Sequence, residues 1–296
     1  LWTILIAFCV AASISLTAEI SQRFLAVRAD FLSVFSTLSQ VTLTLLAGSP
    51  LTNAGRDGLR QVLSSLGVAS RLHQRWMAGL SLAMFIVILG LWGLLPTISR
   101  GYNAHGMQRQ AAHRLTDAIE DYRRAISLNH DNAIAQYNLA TAYEDVFDYD
   151  QAMEAYRMTL RADDRAYGAY NNLARLYLLR ANATDWGLAL KLLEQALKLN
   201  PADSAVRYSL FKNRGWAALG LKLYGQAEQD LRQALTLRPD GAAAYCLLGQ
   251  LCSDTGRLDE AASAWESCLG FAAGDFVEPS WLAQAREALN HRGQSK

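Results

Sequence analysis

Between Ala133 and Ala166 the apolar positions fall at helical spacing twice over. Ile134, Tyr137, Ala140 and Tyr143 make one stripe, Asp148, Tyr149 and Asp150 turn the chain, and Ala152, Ala155, Tyr156 and Leu160 make a second. The pattern predicts two short antiparallel helices. Such a pair cannot hide its apolar faces alone, but a row of similar pairs can.

The pattern recurs along the chain. Alanine occupies one position of the second helix in every copy, at Ala118, Ala152, Ala189, Ala227 and Ala261. Four residues on stands a large residue, Tyr122, Tyr156, Leu193, Leu231 or Trp265, and three further a small one, Ala125, Thr159, Ala196, Ala234 or Cys268. In the first helix the close-contact position holds Gly106, Ala140, Ala174, Gly215 or Gly249, and Pro201 and Pro239 end two of the second helices. This small, large, small order resembles the tetratricopeptide repeat family, whose unit is about 34 residues.

The resemblance implies an all-α fold: a right-handed α-solenoid of about five helix pairs, at 99–132, 133–166, 167–203, 208–241 and 242–275. The third unit is enlarged by Ala181 to Trp186, and the first carries His105 and Arg109 where the family has apolar residues. An amphipathic stretch at 279–291, entered at Pro279, reads as a helix capping the open end of the stack.

Residues 1–98 are a different material. They carry six arginines (Arg23, Arg28, Arg56, Arg60, Arg71, Arg75) against Glu19, Asp30 and Asp57. The uncharged runs at about 1–18 and 76–98 predict transmembrane helices, the second flanked by Trp76 and Trp92 as interfacial anchors. A signal peptide is the rival reading of the first. About 31–47 reads either as an amphipathic helix at the interface, with Phe31, Val34, Phe35, Leu38, Val41 and Leu45 on one face, or as a third span. Arg56 to His73 reads as a further amphipathic helix with an arginine face.

Two spans place the N-terminus and the repeats on one side of the membrane; three place them on opposite sides. The positive-inside count does not settle the side: the six arginines of residues 19–75, taken alone, lean towards a cytoplasmic loop, but Arg100, Arg109 and Arg114 follow the second span. Cys246, Cys252 and Cys268, at packing positions, read instead as buried free thiols in a reducing compartment. With the family resemblance, they put the repeats on the cytoplasmic face of an integral membrane protein.

Candidate chemistry is sparse. The five histidines lack cysteine or carboxylate partners at metal-ligand spacing, and neither a phosphate-cradling glycine loop nor a GxSxG elbow occurs. The sequence therefore predicts no enzyme, no metal and no cofactor. Residues 99–296 carry 22 Lys and Arg against 24 Asp and Glu, which argues against nucleic acid.

The resemblance implies a concave groove, lined by the first helix of each pair, for protein or peptide partners. Its facing residues would be Tyr137, Thr141, Glu144 and Asp145; Asn171, Arg175 and Leu178; Lys212 and Trp216; Gln250 and Asp254. Tyr137 and Trp216 fit either as groove anchors or as core. The carboxylate-binding groove of the family's chaperone-binding members would need lysine and asparagine where this chain has Asn103, Met107, Asn138, Gly168 and Asn172, and only Asn138 matches. Glu144, Asp145, Asp148 and Asp150 form an acidic corner that would suit a basic partner segment or be a solvated turn. The expected function is a membrane-anchored scaffold for recruiting or assembling a membrane complex. The alternatives are the transmitting half of a larger signalling protein, with a sensor or catalytic domain before Leu1, and a structural subunit of a membrane assembly.

Overall fold

The computed structural model describes residues 1–25, 52–274 and 277–294, and among them it is all-α, with thirteen α-helices and no strand. The chain divides into two compact units, Leu1–Val146 and Phe147–Lys296. The reading of 31–47 as an amphipathic or spanning helix lies outside the described residues.

The first unit contains α1 (Trp2–Leu25), α2 (Asn53–Ser65), α3 (His73–Ala111), α4 (Leu115–Leu128) and α5 (Ala133–Asp145). Thr52 caps α2 by accepting from the Gly55 amide at 2.9 Å. The apolar side of α2 sets Leu59 and Leu63 against Ile6, Val10, Met77 and Ala78. Helices α1 and α3 run parallel. Ile6 and Val10 lie with Met77 and Ala78, Phe8 meets Phe85 edge-on at 6.4 Å, Trp92 donates to Glu19 at 3.3 Å, and Ile20 packs with Leu95.

Helix α3 continues through Pro96 to Ala111. The uncharged stretch and the first repeat helix are therefore one rod of 39 residues, about 58 Å long at about 1.5 Å per residue. Its far end is tied to α4. Ser99 Oγ donates to the Ala125 carbonyl at 2.7 Å, and Arg23 Nη1 at the end of α1 donates to the Leu128 carbonyl at 2.9 Å. The Leu128 carbonyl is one that the last turn of α4 leaves without a helical partner, whereas the Ala125 carbonyl also accepts from the Asn129 amide at 3.0 Å.

The second unit contains α6 (Tyr149–Ala162), α7 (Tyr167–Leu179), α8 (Ala183–Lys198), α9 (Ser204–Gly220), α10 (Tyr224–Leu237), α11 (Ala242–Asp254), α12 (Leu258–Phe271) and α13 (Pro279–Gln294). Asp148, Asn182 and Asp203 cap the helices that follow them. The turns inside the pairs reverse through a left-handed residue: His113 (φ 56°) in the first unit, and Ala181 (φ 53°), Lys222 (φ 60°) and Gly256 (φ 75°) in the second. After α9 the Lys222 and Leu223 amides return to the Leu219 and Ala218 carbonyls at 2.9 and 2.8 Å, which closes the helix end.

The close-contact positions have a direct steric reason. A Cβ on Gly106 would stand 2.6 Å from the Tyr122 ring, and one on Gly249 2.5 Å from the Trp265 indole. The alanines about one turn before the large residues of the second helices are fully buried: Ala118 in the first unit, Ala152, Ala189 and Ala227 in the second. Small residues let the backbones approach, and the large residue of each second helix fills the space beside them.

Sulfur chemistry departs from expectation. Cys246 on α11 and Cys268 on α12 form a disulfide, with Cα atoms 5.0 Å apart, so these two are not free thiols. Each occupies a close-packing position of one antiparallel pair, and the crossing that admits only small residues brings the two sulfurs together. Cys252 stays reduced and buried, as does Cys9. The free-thiol argument for a reducing compartment therefore fails.

Candidate protein-binding site

In the first unit the groove positions belong to α5. Tyr137, Thr141 and Glu144 are half-buried and Asp145 is exposed. Gln110 of α3 organises them: its Nε2 donates to Asp145 Oδ2 at 2.7 Å and to Thr141 Oγ1 at 3.4 Å, while its Oε1 accepts from Tyr122 Oη at 2.8 Å. Burial, with Asp121 and Asp145 nearby, pushes the Tyr122 phenol up to about 12. One turn earlier, Asn138 Nδ2 donates to Asn103 Oδ1 at 3.0 Å, joining α5 to α3 side by side.

The polar residues of the first repeat helix also find a reason. Arg109 pairs at 3.0 Å with Asp121, a carboxylate 1% exposed, and His105 stands 4.0 Å from it. Burial pushes the Asp121 carboxyl up, against the pull of Arg109, Arg124 and His105. The second unit repeats the arrangement. Asp230, also 1% exposed and likewise one residue before the large position, is held by Arg214 Nε and Nη2 at 2.8 and 2.5 Å.

In the second unit the groove positions fall on α7, α9 and α11. Asn171, Arg175, Lys212, Trp216 and Gln250 are half-buried and Asp254 is exposed. Leu178 is 1% exposed and belongs to the core, out of a ligand's reach. Asn213 Nδ2 donates to Asn171 Oδ1 at 2.9 Å and Asn171 Nδ2 to Asn172 Oδ1 at 3.2 Å, so asparagines link α7 to α9. Trp216 meets Trp281 of α13 edge-on with centroids 4.7 Å apart. The C-terminal helix thus covers one of the two aromatic candidates, and Trp281 and Ala285 are buried with it.

The acidic corner is largely engaged. Asp145 accepts from Gln110, Asp148 caps α6 by accepting from the Gln151 amide at 3.2 Å, and Asp150 pairs with Arg180. No group of three or more His, Cys, Asp or Glu able to hold a metal occurs among the described residues.

Sequence reasoning missed the arginine and tyrosine pairs that stitch successive repeats. Arg123 of α4 donates to Tyr143 Oη of α5 through Nε and Nη2 at 3.1 and 2.6 Å. Arg157 of α6 donates to Tyr177 Oη of α7 at 2.8 Å. The signal was present: each arginine follows the large residue of a second helix, and each tyrosine lies twenty residues on.

Family models for the tetratricopeptide repeat match residues 133–162 and 212–268, and a TPR repeat model matches 113–146. No curated protein matches the chain. Among solved structures, the chain is similar to PilW, described as a widely conserved type IV pilus biogenesis factor: 18% identity, TM-score 0.54, 65% of this chain and 86% of that one. It is also similar to MamA from Desulfovibrio magneticus RS-1, with 17% identity and TM-score 0.51 over 60% of this chain and 96% of that one. PilF of Pseudomonas aeruginosa gives 18% identity and TM-score 0.50 over 67% and 89%. At these identities the structural likeness shows the fold and nothing more. By the model matches and the helix pairs that contain them, the chain carries tetratricopeptide repeats over residues 113–162 and 212–268.

Proposed function

We propose that the chain is a membrane-anchored scaffold whose repeats bind partner proteins and aid the recruitment or assembly of a membrane complex. The observation that carries this reading is helix α3. Between Trp76 and Ile98 it exposes Trp76, Leu80, Ile86, Val87, Leu91 and Leu94, and the same helix then becomes the first repeat helix. Large apolar side chains facing outward over about 20 residues match a hydrocarbon layer roughly 30 Å thick. Helix α1 is the second helix long and apolar enough to cross. Arg23 and Ser99 bind α4 directly, so the anchor holds the first repeats in a fixed attitude instead of trailing them on a tether.

The parallel course of α1 and α3 bears on sidedness. If both cross, the beginning of α1 and all of α2 lie on one side and the repeats on the other. Arg56, Arg60, Arg71 and Arg75 then lie on the α2 side and Arg23, Arg100, Arg109 and Arg114 on the repeat side, four against four, so the positive-inside count favours neither. The Cys246–Cys268 disulfide favours an oxidising compartment for the repeats. In this reading the repeats face away from the cytoplasm, opposite to the side expected from free thiols. The likeness to PilW, a pilus biogenesis factor, is compatible with an assembly role and rests on fold alone.

The test is photo-crosslinking in native membranes, with a photoreactive residue at Tyr137 or Asp254 and controls at the outward Gln229. The chain should stay in the pellet after alkaline carbonate extraction, and discrete adducts should arise from the first two positions. Release by carbonate refutes the anchor, and equal adducts from Gln229 refute the groove.

A further inference from the structure

Two of the junctions between successive repeats are filled in the same way. At each, an arginine of a second helix holds the hydroxyl of a tyrosine on the first helix that follows. Tyr143 is 6% exposed with the Arg123 guanidinium 5.7 Å from its ring centroid; Tyr177 is 8% exposed with Arg157 at 5.9 Å. Arg157 also keeps a carboxylate on its own helix, with Nη1 donating to Glu154 Oε2 at 3.1 Å while Nη2 serves the phenol.

At the junction of α10 with α11 the arginine is kept and the tyrosine is not. Arg232 follows Leu231 as Arg123 follows Tyr122 and Arg157 follows Tyr156. It too holds a carboxylate of its own helix, donating to Glu228 at 3.0 and 2.7 Å. The tyrosine position, three residues after the close-contact residue, holds Cys252 after Gly249. Beside Arg232 and Cys252 is an open cleft of about 370 Å³, lined by these two with Tyr245, Leu248, Asp259 and Glu260, where Arg232 also pairs with Glu260 at 3.7 Å. That is within the size range of small-ligand pockets. Burial pushes the Cys252 thiol up, so the sulfur itself is uncharged and suits the face of a ring. Between α8 and α9 both members differ, as Glu194 and Ala218, so the arginine without its tyrosine belongs to the α10–α11 junction.

We infer that this cleft takes a tyrosine side chain of a partner protein, its ring against Cys252 and its hydroxyl accepting from Arg232. The chain supplies the template itself, in Tyr143 on Arg123 and above all in Tyr177 on Arg157, where the arginine serves a carboxylate and a phenol at once; Arg232 gives Nε and Nη2 to Glu228 and would hold the new phenol through its remaining donors. The site lies between second helices, apart from the first-helix residues of the proposed groove, and does not depend on membrane anchoring. It would give the scaffold a second contact, specific for a hydroxylated ring.

The full chain in lipid nanodiscs is titrated into N-acetyl-3-fluorotyrosinamide while the ¹⁹F line width is followed, with empty nanodiscs as blank. Millimolar binding is expected, weakened about tenfold by Arg232→Leu, the loss of one charge-assisted hydrogen bond. Cys252→Tyr should fill the cleft from within, abolish broadening and raise the unfolding temperature. N-acetyl-4-fluorophenylalaninamide, which lacks the hydroxyl, should bind several-fold more weakly. Equal binding of the two amides, no broadening by the wild-type chain, or a Cys252→Tyr chain that unfolds at lower temperature would each overturn the assignment. Binding of p-cresol without binding of tyrosinamide would make the ligand a free phenol and overturn the partner-protein assignment.

Discussion

Replacing Gly249 by alanine tests whether the small residues of the first helices are set by the large residues facing them. The new Cβ would lie 2.5 Å from Trp265 Cδ2, 2.8 Å from Cε2 and 2.9 Å from Cε3. Carbon atoms in contact prefer about 3.5–4.0 Å, so ring and helix must part by roughly 1 Å. The indole has little room to retreat: Trp265 is 2% exposed and its Nε1 donates to Ser253 Oγ at 3.3 Å. Overpacking of this kind costs about 1–3 kcal/mol. Alanine returns about 1 kcal/mol in helix propensity. The upper half of the strain range applies to a pinned ring, which leaves a net loss of about 1–2 kcal/mol. For a unit of this size that lowers the unfolding temperature by roughly 3–6 °C. Gly187, within α8 and with nothing inside 4 Å of an added Cβ, is the control. Gly187→Ala carries the propensity gain without the clash and should raise the midpoint by roughly 2–4 °C. A third variant isolates the ring. In a Trp265→Leu background, Gly249→Ala should cost less than in the parent, because α7 and α8 hold Ala174 and Leu193 at the equivalent positions, both buried, although a Cβ on Gly215 would still stand 2.8 Å from Leu231. Thermal unfolding followed by circular dichroism reads all of these. A Gly249→Ala chain as stable as the parent, beside the expected gain at Gly187, would refute the steric account.

Two further outcomes follow from the second unit. Thiol titration of the denatured chain should find two free cysteines before reduction and four after, and reduction should cost about 3 kcal/mol, the loop-closure value for a separation of 22 residues; four reactive thiols without reductant would refute the Cys246–Cys268 bond. Glu228 is held below the usual glutamate range by hydrogen bonds from Arg257 and then Arg232, so its contribution is complete above pH 4.5 and is lost as pH falls through the depressed folded value. Glu228→Gln should therefore lower stability by about 1 kcal/mol at pH 7 and by progressively less as pH falls below 4.5, a partly exposed network being worth little more; a deficit that does not shrink in acid would show that the carboxylate charge is not the cause.

Much of the architecture was legible because it rests on packing within one pair, which a chain writes at fixed intervals. Ala189, Leu193 and Ala196 report a close crossing wherever the triplet appears, and all three are buried. The junction between anchor and repeats was harder to read. Sequence composition changes at residue 98, but a helix can cross such a change without a break, and the bonds that fasten it, from Ser99 to Ala125 and from Arg23 to Leu128, join residues 26 and 105 apart. Trp216 was ambiguous for the same reason. Its environment is decided by Trp281, whose approach depends on where α13 folds back, and helical periodicity carries no information about that.

The cysteines show where the reading of single residues fails and the reading of equivalent positions succeeds. Taken one at a time, Cys246, Cys252 and Cys268 are all small, buried side chains on repeat helices, and nothing separates them. Compared with their counterparts they divide. Cys268 stands where other pairs have Ala125, Thr159, Ala196 and Ala234, a position pressed against the partner helix, and there it meets Cys246. Cys252 stands where Tyr143 and Tyr177 point out of the pair towards the preceding repeat, and there a small residue leaves a space beside an arginine that elsewhere has a phenol to hold. The same residue type closes a hairpin in one register and opens a cleft in the other. What decides between them is which neighbour the position faces, and in a repeat protein that can be read from the other copies before any coordinates exist.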